Sequence, residues 1–217
     1  MTSRTRRTAT VAAFVALVLT FSSGCSPLPI AREAGTPIPR PSADPTSTAQ
    51  AGSPQGDISF AEGATLDPRT DISWGDGFAA DDGWRAQPSD HPGRWSYVNA
   101  AGTCTASFRG GVLGDAGEMD DREATDALIE YQSGDDFLGP EMLTDGEFAA
   151  YEGDGSGIAH RQFGYTVNEL GYFMAARAFV QADYSVWVIV TCEGEPVGPV
   201  AQEVLSKNVI AVDAQEE

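Results

Sequence analysis

The stretch Tyr184-Ser185-Val186-Trp187-Val188-Ile189-Val190-Thr191-Cys192 is β-branched and apolar on both sides of an extended chain. A strand of that kind belongs in the middle of a sheet that is covered on both faces. Just upstream, Tyr172 to Val180 is a second strand candidate, and Gln181-Ala182-Asp183 joins the two as a tight turn. Ile158 to Val167 supplies a third. Ala159, Phe163, Tyr165 and Val167 lie on one side of it, and His160, Gln162 and Thr166 on the other, polar, side. Three long antiparallel strands in succession therefore form the centre of the domain.

Working outward, Trp95 to Val98 and Cys104 to Phe108 flank Ala100-Ala101-Gly102, which reads as a further hairpin. Two segments follow a helical period instead. Asp120 or Asp121 is placed to cap a helix through about Gln132, with Ala124, Ala127, Leu128 and Tyr131 on one face. Pro199 is placed to open a second, with Val200, Val204, Leu205 and Val209 facing inward. Strands in runs, with helices set apart from them, predict an α+β domain: an antiparallel sheet covered by about two helices.

The rest of the chain is organised differently. Arg4, Arg6 and Arg7 precede an apolar run from Val11 to Leu19, then Ser22, Ser23, Gly24 and Cys25. That order is a secretory signal over 1–24. The run is about half of the roughly 20 residues a spanning helix needs. From residue 25 to 56 the chain holds Pro27, Pro29, Pro37, Pro39, Pro41, Pro45 and Pro54 among Ser, Thr, Ala and Gly, with no apolar period. Such a segment is a spacer that buries no core. In polyproline form it reaches on the order of 90 Å at about 3 Å per residue. One folded domain then spans 57–213, with a short tail at 214–217.

Removing the leader leaves 10 basic against 32 acidic side chains, a net charge near −22. That charge repels nucleic-acid phosphates and anionic headgroups, so neither is expected as a partner. The cysteine count is odd: Cys25, Cys104 and Cys192. If Cys25 carries a modification, the other two remain as a pair for a disulfide in an oxidising compartment.

No chemical motif stands out. His91 sits in the turn Ser89-Asp90-His91-Pro92-Gly93, and Gly153-Asp154-Gly155-Ser156-Gly157 is a loop rather than a nucleophile elbow. Two histidines and no free cysteine cluster predict no metal, and no cofactor fingerprint is present. Arg177 falls on a strand face with Phe173, Ala175 and Phe179, where a charge requires a partner, expected as a salt bridge at the sheet rim or else a ligand carboxylate or phosphate. Trp74, Phe78, Trp84 and Trp95 lie among glycines and are either a partner-facing surface rimmed by Asp76, Asp81 and Asp82 or a satellite core over the sheet.

Ser22-Ser23-Gly24-Cys25 resembles a bacterial lipobox, with Ser22 where the usual pattern has Leu. The resemblance implies diacylglycerol on Cys25 and a place on the outer face of the cell membrane. The element order over roughly 78 to 212, with Asp82-Gly83-Trp84 near its entry, resembles the PsbP-like α/β/α sandwich of LpqN-type lipoproteins. Trp74-Gly75-Asp76-Gly77, Trp95-Ser96-Tyr97 and the Cys104 strand are similar to a group of actinobacterial lipoproteins, a likeness that implies no activity. The expectation is a lipid-anchored envelope protein, leaning against an enzyme: a non-catalytic binding or accessory module whose partner is an envelope protein or ligand. The alternatives are an envelope hydrolase and a carrier of a small apolar ligand.

Overall fold

The computed structural model describes residues 57–89, 91–134, 139–151 and 157–213. The leader, Cys25 and the proline-rich segment lie outside the described residues. The elements in chain order are α1 (Phe60–Gly63), β1 (Asp71–Trp74), β2 (Trp84–Gln87), β3 (Arg94–Asn99), β4 (Cys104–Val112) and α2 (Asp121–Ser133). A 3₁₀ turn (Pro140–Met142) precedes β5 (Thr144–Ala149), β6 (Gly157–Val167), β7 (Leu170–Phe179), β8 (Tyr184–Glu193), α3 (Val197–Lys207) and β9 (Ile210–Asp213).

Seven strands form one antiparallel sheet in the order β2-β3-β4-β8-β7-β6-β5. The two-sided apolar strand β8 occupies its centre. Val186, Val188 and Val190 face one side and are fully buried, while Trp187 points to the other and is also buried. The first side packs under α3 and the small β1–β9 ribbon, whose Ile72, Trp74 and Ile210 join Val200 and Val204 in one core. The second packs under α2, where Ile129 meets Phe163, Met174, Ala176 and Trp187. The domain is therefore α+β, a seven-stranded antiparallel sheet between helices. No described helix is long and apolar enough to cross a membrane.

Local chemistry explains the boundaries. Asp120 caps α2 by accepting from the Glu123 amide while the Glu123 side chain returns to the Asp120 amide, and Gly134 closes the helix at φ 61°. The inward face of α2 is rotated from the expected one: Ala124, Thr125 and Ile129 are buried, whereas Ala127 and Tyr131 point to solvent. Asp121 and Thr125 turn the helix this way because both bond to the backbone at the end of β7. The turn into β8 is the expected one, with Asp183 at φ 48°.

Cys104 and Cys192 are direct partners across β4 and β8 and form a disulfide with Cα atoms 4.1 Å apart. The expected cysteine pair is thus present, bridging 88 residues of chain.

Candidate functional site

The sequence-flagged groups are mostly structural. Of the two readings for Trp74, Phe78, Trp84 and Trp95, a partner-facing surface or a satellite core, the packing favours the core: Trp74, Phe78 and Trp84 are buried. Phe78 stacks on Trp84 at 4.4 Å, and Trp74 meets Phe108 and Phe148 edge-on. Trp95 is half-buried and stacks on Phe108. The acids beside them are engaged: Asp76 accepts from the Tyr97 hydroxyl, and Asp81 pairs with Lys207 at 2.6 Å. Short strands β1 and β2 turn these rings under the sheet because large apolar surfaces gain most by leaving water.

His160 is also buried, not on a polar face as its strand pattern suggested. Its Nε2 lies 3.0 Å from Gln162 Oε1, its Nδ1 has no partner among the described residues, and its ring packs on Phe148 at 4.1 Å. Burial lowers its pKa to about 4, so the ring is neutral at ordinary pH. An enclosed imidazole bonded to an amide is not a base poised over a nucleophile. Ser156 lies outside the described residues.

Arg177 finds the partner that its position demanded, though in the interior rather than at the rim. It donates to Asp121 Oδ2 at 2.8 Å, and both side chains are fully enclosed. The guanidinium also reaches the carbonyls of Ser59 and Ala159 and lies over Phe60 at 4.1 Å. Burial lowers Arg177 to about 10 and raises Asp121, yet the arginine keeps its proton at neutral pH. This pair ties α2 to β7; it faces no solvent.

A groove of about 400 Å³ is lined by Ser59, Phe60, Arg122, Asp145, Gly146, Glu147 and Ala159. A two-pronged Arg122–Asp145 ion pair lies at this groove, with the Arg122 guanidinium over the ring of Phe60 at 4.8 Å. Among the described residues no group of His, Cys, Asp and Glu is arranged to hold a metal ion.

The feature left without a structural role is the part of the sheet face that α2 does not cover. Strand register places its side chains in three rows. The first is Tyr165, Tyr172, Thr191, Thr105, Val98, Arg85. The second starts under α2 with Phe163, Met174 and Ile189 and emerges from it through Ser107 and Ser96 to Gln87. The third ends in Trp187, Arg109 and Arg94. Tyr165 and Tyr172 stack at 5.3 Å at one side; arginines occupy the other; hydroxyls fill the middle.

The arginines are conspicuous for what surrounds them. Arg69, Arg122, Arg161, Arg177 and Lys207 each pair with a carboxylate. Arg85, Arg94 and Arg109 have no acidic partner among the described residues, and all three are exposed. The side-chain hydroxyls of Ser96, Thr105, Ser107 and Thr191 likewise make no bond among the described residues. Sequence reasoning did not single these residues out. The available signal was strand parity: once Trp95 and Tyr97 turn inward, Arg94, Ser96 and Val98 must face the other way.

No protein-family model matches the chain, and no curated protein matches it either.

Proposed function

We propose that this protein is a non-catalytic binding module of the cell envelope, tethered by lipid on Cys25, with the open half of the sheet as its contact surface. One observation carries the reading: among the described residues, exposed arginines and unengaged hydroxyls share one face that no helix covers, while His160, Arg177 and Asp121 are sealed inside. Binding surfaces are where polar groups are left for a partner to satisfy. The tether draws its support from the lipobox-like Ser22-Ser23-Gly24-Cys25 and from the Cys104–Cys192 bond, which leaves Cys25 as the odd cysteine. Helices on both sides of an antiparallel sheet agree with the PsbP-like, LpqN-type resemblance.

Two experiments test the proposal. Cys25→Ala should move the protein out of the membrane fraction or leave it unprocessed; unchanged retention with normal processing removes the tether. A photo-crosslinking residue at Ser107, on the open face, should trap a specific envelope component in cells. The same residue at Gln202, on the exposed side of α3, should not. Equal capture at both positions, or none at Ser107, refutes the contact surface.

A further inference from the structure

We infer that the open sheet face binds an acidic glycan, a chain of sugar rings carrying carboxylate or phosphate groups at intervals. The inference rests on the binding-module reading and names the chemistry of its partner. Arg94 and Arg109 are the starting point, because they are direct register partners across β3 and β4. Like charges placed directly opposite on a sheet repel and destabilise it. The chain has 32 acidic side chains, yet none among the described residues relieves this pair. An anion lying between the two guanidinium forks would, and planar forks match carboxylate and phosphate oxygens two at a time.

The pair is held in place rather than loose. Arg94 lies over the ring of buried Trp187 at 5.7 Å. The Arg109 carbonyl accepts from Trp74 Nε1 at 2.9 Å, which pins its strand from the core side. One step along the same strands and on the same face come Ser107 and Ser96, then Thr105, with Thr191 beside it on β8. Beyond them stand the stacked Tyr165 and Tyr172. Arginine for the acid, hydroxyls for sugar hydroxyls and exposed Tyr165, backed by half-buried Tyr172, for the apolar face of a ring together match one ligand class. Five strand spacings separate Tyr165 from Arg85, about 24 Å, which accommodates several sugar rings.

Other polyanions fit less well. A peptide would dock by backbone pairing at a strand edge or by an apolar anchor in a pocket, whereas the arginines and hydroxyls gathered here stand on the flat face of the sheet, spread over β2, β3, β4 and β8. Nucleic acid places a charge every few ångströms along its length, which the acidic remainder of the domain repels. A sparsely charged glycan meets three arginines and little else, because screening confines repulsion to about 8 Å at physiological salt.

The test uses the disulfide-intact mature protein and calorimetric titration with four probes: oligogalacturonate, a phosphomannan oligosaccharide, neutral dextran and poly-glutamate. Oligogalacturonate or phosphomannan should bind at least tenfold more tightly than dextran and poly-glutamate, and the stronger of the two identifies carboxylate or phosphate as the group read. Arg94→Gln with Arg109→Gln should cost at least tenfold in that affinity while the melting temperature holds or rises, since the repulsion is relieved. Tyr165→Ala should weaken binding severalfold at unchanged stability. Poly-glutamate binding as tightly as the acidic glycans would overturn the inference in favour of an acidic polypeptide. Dextran binding equally, or no probe binding, would also overturn it. A specific crosslink from Ser107 to a protein, without glycan binding, ends this inference while leaving the binding-module reading intact.

Discussion

Asp121→Ala takes one carboxylate from the interior and strands two groups at once. Arg177 loses its anionic contact while still enclosed between Phe60 and Phe179. The Val180 amide, which donates to Asp121 Oδ1 at 2.9 Å, is left without its acceptor. Breaking a buried ion pair from one side costs about 3–5 kcal/mol, because the remaining charge stays buried. An unsatisfied buried amide adds about 1–3 kcal/mol. Even the lower ends together, about 4 kcal/mol, are a large share of the roughly 5–15 kcal/mol that stabilises a domain. Urea unfolding followed by tryptophan fluorescence reads the loss; with a slope of about 2 kcal/mol per M, the midpoint should fall by about 2 M. The double variant Asp121→Asn with Arg177→Met should lose less than Asp121→Ala, because it keeps no bare charge and retains an acceptor for Val180. A loss below about 1 kcal/mol for Asp121→Ala, or no coupling to Arg177→Met, would refute the claim that this pair joins α2 to β7.

Acid should weaken the fold through His160, whose folded pKa is depressed from 6.5 to about 4, so the unfolded chain takes up the proton first. The stabilisation is complete above 6.5 and is lost as pH falls toward 4, by about 3 kcal/mol at most. His160→Gln should flatten unfolding free energy across that window, and an unchanged slope would rule the residue out; Asp145, held at about 2 by Arg122 and Arg161, titrates below it. Reducing the Cys104–Cys192 bond should lower the melting temperature, since closing so long a loop is worth on the order of 4 kcal/mol in the chain-entropy account. Two freely alkylated thiols in unreduced, unfolded protein would show that the bond does not form. Trp84→Ala should cost about 3–5 kcal/mol in unfolding free energy through loss of its stack on Phe78. An unaltered denaturation midpoint would put Trp84 back on the surface.

Much of this architecture is local enough to be read along the chain. The alternation from Tyr172 to Cys192 identifies β7, β8 and their turn, because side chains two apart share a face whatever lies elsewhere. The capping residues at Asp120 and the 3.6-residue period place α2 for the same reason, and the odd cysteine count points to the Cys104–Cys192 pair. Only the tertiary structure decided the rest. Strand β1 is four residues long, too short for a period, and exists because β9, near the far end of the chain, pairs with it. Trp74 and Trp84 read equally well as surface or core until the β1–β9 ribbon and β2 turn them under the sheet. The polar side assigned to His160 turned out to be interior because Phe148 of β5 covers it. Arg85, Arg94 and Arg109 are unremarkable on separate segments; antiparallel register sets them on one open face, and no local pattern in the chain encodes which of its many carboxylates will be kept away from them.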